Sequence, residues 1–166
     1  MGRRIARWGL FATMLALVGC DHATKLAAES ALGQRGPLEL VPGVLDLRLA
    51  HNDDTAFSLL RDVELPHRGL VFAIVPLLTL ALVLLFAWRR RNSASFVERI
   101  AFALVTAGAL GNVVDRVRRG YVIDFIHVSH WPVFNVADVI IAIGGIMLAI
   151  AGLRRHRAPP GDAPAP

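Results

Sequence analysis

Long apolar stretches dominate the chain, and each is bounded by charged or polar residues. A helix needs roughly 20 mostly apolar residues to cross a bilayer, and residues 69–88 meet this requirement without a single charged side chain. Three further stretches, about 5–28, 97–116 and 133–153, reach that length only by including ionisable or amide groups near one end. The pattern predicts an α-helical integral membrane protein with four transmembrane helices.

The segment between the first two predicted helices, about residues 30–68, has a different period. Apolar and charged residues alternate from Leu45 to Leu49, which is typical of a half-buried strand. Pro42-Gly43 is a turn signal, and Leu38 to Val41 can supply a partner strand. We therefore expect a small extracytoplasmic β subdomain between helices 1 and 2.

Composition also indicates that lipid surrounds much of the chain, because 55% of the 166 residues are hydrophobic and only 19% are charged. The net charge of +5 comes from arginines grouped beside the apolar stretches rather than spread along a face. This is a topogenic pattern, and it argues against nucleic-acid binding. The three groups are Arg3, Arg4 and Arg7; Arg89, Arg90 and Arg91; and Arg154, Arg155 and Arg157.

These arginine groups all fall on one side of the membrane if the chain crosses four times, so both termini are predicted to be cytoplasmic. Residues 1–157 then form one membrane-embedded domain, and the Pro- and Ala-rich residues 158–166 form a disordered tail. Three basic residues would lie outside, against the rule, and need another role: Arg116, Arg118 and Arg119.

The N-terminus permits one competing interpretation. Leu17-Val18-Gly19-Cys20 resembles a lipobox behind a basic and an apolar region, so Cys20 would be the lipidated first residue of a mature lipoprotein. The alternative is that Cys20 is a small residue inside a retained membrane helix. The arginine groups fall on the same side of the membrane only if this first helix is retained, which favours the second interpretation.

Ionisable and amide side chains at membrane depth are candidates for function, because placing them there is costly. All of those in this chain converge on one predicted leaflet, at helix ends or in the connection between helices 3 and 4. They are Asp21 and Lys25; Asn112, Asp115 and Arg116; Asp124; and Asn135 and Asp138.

Most of these residues also have a structural interpretation. Asp21 and Lys25 at i, i+4 form an ion pair, and Asp115 with Arg116 can clamp a helix end. Near the start of helix 4, Asp138 suits the helix dipole, and Asn135 can cap that helix.

Asp124 has no such local explanation, because its neighbours Ile123, Phe125 and Ile126 are apolar. Two neighbouring carboxylates share a proton, so that one activates water and the other polarises a carbonyl. Pairing Asp124 with Asp138 would give an aspartic peptidase site, without metal or cofactor, although spacing alone leaves Asp21 and Asp115 as competing members of such a pair.

Three other classes remain open at this point. A serine–lysine peptidase would need neutral Lys25 near Ser30 or Ser58, but Asp21 favours the charged lysine. A metallopeptidase would use histidines such as His51, His127 and His130, yet no helical metal motif is present. A non-enzymatic transporter or scaffold subunit would also bury polar groups, although nearer the middle of the membrane.

The motifs resemble those of the lipoprotein signal peptidase (signal peptidase II) family. They are Asp21-His22-Ala23-Thr24-Lys25, His51-Asn52-Asp53-Asp54-Thr55-Ala56-Phe57, Gly111-Asn112-Val113-Val114-Asp115-Arg116, Val122-Ile123-Asp124-Phe125 and Phe134-Asn135-Val136-Ala137-Asp138. Their order along most of the chain follows the family pattern.

The resemblance implies a monomeric aspartic peptidase of the bacterial inner membrane, active at the outer leaflet. Its substrates are prolipoproteins, cut before a diacylglyceryl-modified cysteine, so membrane lipid is also a partner. Asp124 and Asp138 match the family's catalytic pair. The positions that match substrate-binding or supporting residues are Asn52, Asn112, Arg116, Asn135, Asp21, Lys25 and Asp115.

One motif departs from the family pattern. Asp54 stands where the family usually has glycine, and Thr55 where it has a small apolar residue. Aspartate adopts left-handed backbone geometry more readily than most residues. The details of this loop are therefore in question, whereas the aspartate pair is unaffected.

Overall fold

The computed structural model describes residues 2–53 and 68–157. The elements in these ranges follow the order α1 (Gly2–Arg35), β1 (Leu38–Val41), β2 (Leu45–Asn52), α2 (Arg68–Arg90), α3 (Phe96–Arg119), β3 (Val122–Val128) and α4 (Val136–Arg157). Several expectations lie outside the described residues. These are the second half of the predicted β subdomain, the tail at 158–166, and the residues Asp54, Thr55 and Ser58.

The helices occupy the four predicted stretches with shifted ends. α1 continues to Arg35, so the β subdomain starts later than expected. α3 continues to Arg119, so the expected connection after residue 116 is shorter, and α4 starts at Val136 rather than about residue 133. In the described ranges, Phe96–Arg119 and Val136–His156 are long and apolar enough to cross a membrane.

The start of α3 is fixed by its sequence. Ser95 Oγ accepts a hydrogen bond from the Glu98 backbone N–H, and Glu98 Oε2 accepts one from the Ser95 N–H, at 3.2 and 2.7 Å. This reciprocal capping box satisfies two backbone donors that the first helical turn leaves without partners. It also holds the Glu98 carboxylate at the very end of the helix.

The outer surfaces of the helices are strongly apolar. Leu82, Ile146 and Leu153 are 64%, 60% and 62% exposed. In water, such contiguous apolar surface marks an interaction site, and lipid is the partner that covers helix faces of this kind. By contrast, one buried apolar cluster of Ala28, Leu32, Ile123 and Phe125 joins α1 to the sheet.

The sheet confirms the predicted hairpin and adds a strand that was not predicted. β1 has the expected bounds before the Pro42-Gly43 turn, whereas β2 continues past the predicted Leu49 to Asn52. β3 pairs with β2 in an antiparallel manner, giving the order β1-β2-β3. No strand was predicted in this connection between helices 3 and 4. β3 shows no alternation of apolar and polar residues because both of its faces are buried from Val122 to Phe125.

Candidate active site

A buried ion cluster links α1 to α3. Lys25 Nζ lies 2.8 Å from Asp21 Oδ2 and 2.8 Å from Asp115 Oδ2, and all three side chains are at most 2% exposed. The Asp21–Lys25 ion pair is therefore present, as predicted. The predicted Asp115–Arg116 clamp was wrong, because Asp115 faces Lys25 instead.

The close approach of α1 and α3 depends on Gly111. A Cβ atom at this position would lie 2.6 Å from Asp21 Oδ2, well inside van der Waals contact. Asp21 Oδ1 meanwhile accepts a hydrogen bond of 2.9 Å from the Ala137 N–H in the first turn of α4. Asp21 thus touches three helices, which explains why it is buried at the point where they meet.

Asn112 links Lys25 to Asp138 through hydrogen bonds from the two ends of its amide group. Its Oδ1 accepts a hydrogen bond of 2.9 Å from Lys25 Nζ, so its Nδ2 faces the other way and donates to Asp138 Oδ1 at 2.8 Å. An ammonium group can only donate, so Lys25 dictates which end of the amide points to Asp138. The i, i+3 spacing of Asn112 and Asp115 places both on the face toward Lys25.

Asn135 connects the two aspartates that were predicted to form a pair. It caps α4, because its Oδ1 accepts from the Asp138 N–H at 3.0 Å while Asp138 Oδ2 accepts from the Asn135 N–H at 3.2 Å. Its Nδ2 donates to Asp124 Oδ1 at 2.6 Å and to Asn112 Oδ1 at 3.1 Å. The predicted capping role is confirmed, and the same side chain ties β3 to α4.

Asp124 is held from the sheet side by Asn52. Asn52 Nδ2 donates to Asp124 Oδ2 at 2.8 Å, from a strand in which Ala50 pairs with Asp124 and Asn52 with Val122. Burial raises the pKa of the Asp124 carboxyl from 3.8 to about 6. The hydrogen bonds from Asn52 and Asn135 lower this pKa, and the nearby charge of Asp138 raises it.

Two arginines of α3 extend the site. Arg116 is half-buried, its Nη1 donates to the Asn112 carbonyl oxygen at 3.3 Å, and its charge acts on both Asp138 and Asp124. Arg119 Nη1 contacts Glu29 Oε2 at 2.8 Å, and its Nε lies 3.8 Å from Asp115 Oδ1. Arg119 therefore has a structural role, as a clamp between α1 and α3, which sequence reasoning did not assign.

The residues of the rival mechanisms lie elsewhere. Ser30 Oγ donates to the Ala27 carbonyl oxygen, whereas Lys25 Nζ contacts the carboxylates of Asp21 and Asp115 and the Asn112 amide oxygen. His127 Nδ1 contacts Asp46 Oδ2 at 2.8 Å, and His130 contacts Ser129. Within residues 2–53 and 68–157, no three His, Cys, Asp or Glu side chains are close enough together to hold a metal ion.

Comparison with known proteins identifies the family. The family model described as signal peptidase (SPase) II matches residues 13–154. The chain belongs to the signal peptidase II family. It is therefore an enzyme of bacterial membranes, and the non-enzymatic alternative is set aside.

Individual relatives and solved structures agree with this assignment. The lipoprotein signal peptidase of Syntrophus aciditrophicus (strain SB) is 36% identical over 141 residues, covering 82% of this chain and 87% of that protein. That of Ectopseudomonas mendocina (strain ymp) is 39% identical over 147 residues, covering 85% of each.

Two solved structures share the fold of this signal peptidase II family member. A bacterial membrane enzyme solved by the in meso method at 1.9 Å resolution gives a TM-score of 0.75 at 26% identity, covering 88% of this chain and 93% of that one. A second, solved at 2.3 Å, gives a TM-score of 0.76 at 24% identity over 95% and 94% of the two chains.

Proposed function

We propose that Asp124 and Asp138 form the catalytic pair of this peptidase. The observation that carries the proposal is the double role of Asn135, which bonds to Asp124 with its side chain and to Asp138 through the helix cap. One carboxylate comes from β3 and the other from α4, and a single residue holds both. The raised pKa of Asp124 further supports a proton-transfer role at neutral pH.

The chemistry follows from a shared proton. At neutral pH one carboxylate of the pair is ionised and acts as general base on a water molecule, while the other donates its proton to the scissile carbonyl oxygen. The water oxygen attacks the carbonyl carbon to give a tetrahedral intermediate. One hydroxyl of this intermediate returns its proton to the pair, the carbon–nitrogen bond breaks, and the leaving amine takes up a proton from the pair. The enzyme forms no covalent bond to the substrate. Asn52 and Asn112, each donating to one aspartate, fix the orientation of the carboxylates.

The substrate is a prolipoprotein whose lipobox cysteine carries diacylglycerol, and cleavage occurs just before that cysteine. The relatives carry the name lipoprotein signal peptidase. Asp138 lies in the first turn of α4 and Asp124 on the strand packed beside it, so a bond close to two membrane-embedded acyl chains can reach both carboxylates. Arg116, beside both aspartates, orients the backbone carbonyls or the lipid headgroup of the substrate.

We also propose the membrane arrangement. Residues 1–157 form one domain with four transmembrane helices, both termini lie in the cytoplasm, and the aspartates face the outer leaflet of the bacterial inner membrane. The arginine groups support this topology. The exposed tryptophans Trp8 and Trp88 at one end and Trp131 at the other suit the two membrane interfaces. The sheet lies on the outer surface, and the enzyme acts as a monomer.

Cleavage of a purified diacylglyceryl-prolipoprotein in detergent tests the catalytic pair. We expect Asp124→Asn and Asp138→Asn each to lower kcat by about 10³-fold or more, because each removes a proton-transfer group. Asp46→Asn is the matched control, since it makes the same change on a neighbouring strand, and it should keep near-normal activity. Near-normal cleavage by either of the first two variants would refute the pair.

A chelator distinguishes the metallopeptidase class in the same assay. We expect no loss of cleavage after prolonged incubation with chelator, because the aspartates act without metal. Loss of activity with chelator, restored by added zinc, would show instead that the enzyme depends on a metal ion.

A further inference from the structure

A cavity of about 430 Å³ lies between α3 and α4 at the helix ends opposite to the aspartates. Its walls are mostly apolar and come from Val97 of α3 and from Met147, Ile150 and Ala151 of α4. Its polar lining consists of Ser95, Glu98, Arg154 and Arg155, so two guanidinium groups face one carboxylate and the lining carries net positive charge. The proposed peptidase site makes no use of this cavity.

Helix packing explains where the cavity begins. At Gly144 the two helices are in close contact, because a Cβ atom there would lie 2.7 Å from Val105 Cγ2 and 2.9 Å from the Ala101 carbonyl oxygen. Farther along α4, Met147, Ala151 and Arg154 recur at spacings of three and four residues and therefore share one face. This face presents an apolar stripe that ends in a guanidinium group.

Positive charge surrounds this end of the molecule. The segments 89–99 and 154–157 contain one acidic residue, Glu98, and the arginines Arg89, Arg90, Arg91, Arg99, Arg154, Arg155 and Arg157. Glu98 is buried, and its two oxygens accept hydrogen bonds of 2.9 and 2.7 Å from Arg90 and Arg155. Glu98 therefore fixes the Arg155 guanidinium at the cavity.

The side chain of Arg154, unlike that of Arg155, forms no ion pair or hydrogen bond within the described part of the chain. The positive-inside rule accounts for arginines at this end of the helices. It does not account for an apolar cavity between two helices, or for a buried carboxylate that holds one arginine beside it. These two features together indicate a specific binding site.

We propose that this cavity binds an anionic phospholipid of the leaflet at this end of the helices. The headgroup phosphate lies between Arg154 and Arg155, and the start of an acyl chain packs against Met147, Ile150 and Ala151. Charge complementarity favours an anion. The apolar stripe joins the outer helix face, where Ile146 and Leu153 are 60% and 62% exposed, so the occupant carries a hydrocarbon chain.

Native mass spectrometry of the full chain in detergent, titrated with phosphatidylglycerol, tests the proposal. We expect one tightly retained phosphatidylglycerol per chain and much weaker retention of phosphatidylcholine. Arg154→Gln should weaken retention about fivefold, the effect expected for one arginine beside an anionic headgroup. Ala151→Phe should also weaken it, by filling the cavity without changing the charge.

Arg89→Gln is the matched control, because it removes the same charge at the same end from an exposed residue that does not line the cavity. It should retain phosphatidylglycerol as the wild type does. Equal losses in Arg89→Gln and Arg154→Gln, equal retention of the two lipids, or full retention by Ala151→Phe would overturn the proposal. Displacement of the lipid by millimolar inorganic phosphate would also overturn it, by showing a site for free phosphate.

The variants are expected to fold, because Arg154 and Ala151 hold no other element in place by hydrogen bonds. Thermal unfolding in lipid-free detergent and cleavage of lipidated substrate should both match the wild type. These controls separate loss of the lipid site from loss of the fold or of the peptidase.

Discussion

The two ends of α3 both bury carboxylates, but they balance the charge differently. At the Phe96 end, Glu98 is the single buried acid and bonds to two arginines. At the Arg119 end, four aspartates gather around one buried lysine and the half-buried Arg116. These aspartates are Asp21, Asp115, Asp124 and Asp138.

The difference shows how one helix can carry an anchor at one end and reactive groups at the other. A carboxylate matched by arginines that reach solvent holds its proton weakly and stays ionised. A carboxylate that is buried, and whose donors are mostly neutral amides, keeps a proton more easily. Excess buried negative charge is thus the property that separates the candidate site from the opposite helix end.

The largest expected effect comes from removing the central cation of the aspartate end. Lys25→Met removes the cation that contacts both buried carboxylates, leaving Arg119, 3.8 Å from Asp115, at the edge of the cluster, and it should lower the free energy of unfolding by about 3–5 kcal/mol. Thermal unfolding of the purified protein in detergent measures this. Arg119→Gln, at the edge of the same cluster, should cost far less. Equal unfolding midpoints for Lys25→Met and the wild type would show that the Lys25 ammonium does not stabilise the buried carboxylates.

The next effect concerns Asp124 and depends on pH. In the folded protein the pKa of Asp124 is about 6, above its ordinary value of 3.8. Between pH 3.8 and pH 6 the folded state therefore binds more protons than the unfolded state, and the stability of the protein falls as the pH rises through this range. Asp124→Asn removes this dependence, so relative to the wild type the variant should gain about 2–3 kcal/mol of stability as the pH rises from 4 to 8. At both pH values its amide NH2 replaces an oxygen that accepts from Asn52 or Asn135, and this lowers the stability of the variant by a constant amount.

The same substitution on the neighbouring strand provides the control. The hydrogen bond from Arg48, followed by the contact with His127, holds the pKa of Asp46 at about 2, so Asp46→Asn should lower the unfolding midpoint at pH 8. The expected result is that raising the pH from 4 to 8 favours Asp124→Asn over the wild type but does not favour Asp46→Asn over it. An unfolding midpoint of Asp124→Asn that falls relative to the wild type over this range would show that the ionised Asp124 carboxylate is stabilising in the folded state.

The smallest effect is expected at the arginine end. Glu98→Gln keeps an acceptor for the Ser95 N–H, and Arg90 and Arg155, whose side chains are 30% and 45% exposed, can turn to solvent. We expect a loss of about 1 kcal/mol in thermal unfolding. If Glu98→Gln lowered the free energy of unfolding as much as Lys25→Met does, the two ends of α3 would not differ in how strongly their buried charges stabilise the fold.

Sequence alone predicted those features that depend on one segment at a time. The apolar stretches gave the helices, alternation with a turn signal gave the β1–β2 hairpin, and capping chemistry gave the role of Asn135. The Asp21–Lys25 pair followed from helical spacing. Each of these is set by local spacing within one or two turns or strands.

Features that depend on packing between distant segments were missed. β3 has no alternating pattern because α1 covers Ile123 and Phe125 while Asp124 is turned to its amide partners. Asp115 pairs with Lys25 of another helix rather than with the adjacent Arg116, and no helical rule ranks these two choices. The orientation of the Asn112 amide likewise follows only from the contact with Lys25.

The double use of Asn135 has a consequence for biosynthesis. The residue caps α4, which follows every other described element along the chain, and the same amide group reaches Asp124. If Asp124 and Asp138 are the catalytic pair, their alignment requires the first turn of α4 to be wound. A nascent chain in which α4 has not yet inserted therefore lacks the aligned pair, and the proposed site forms only when α4 joins the other helices.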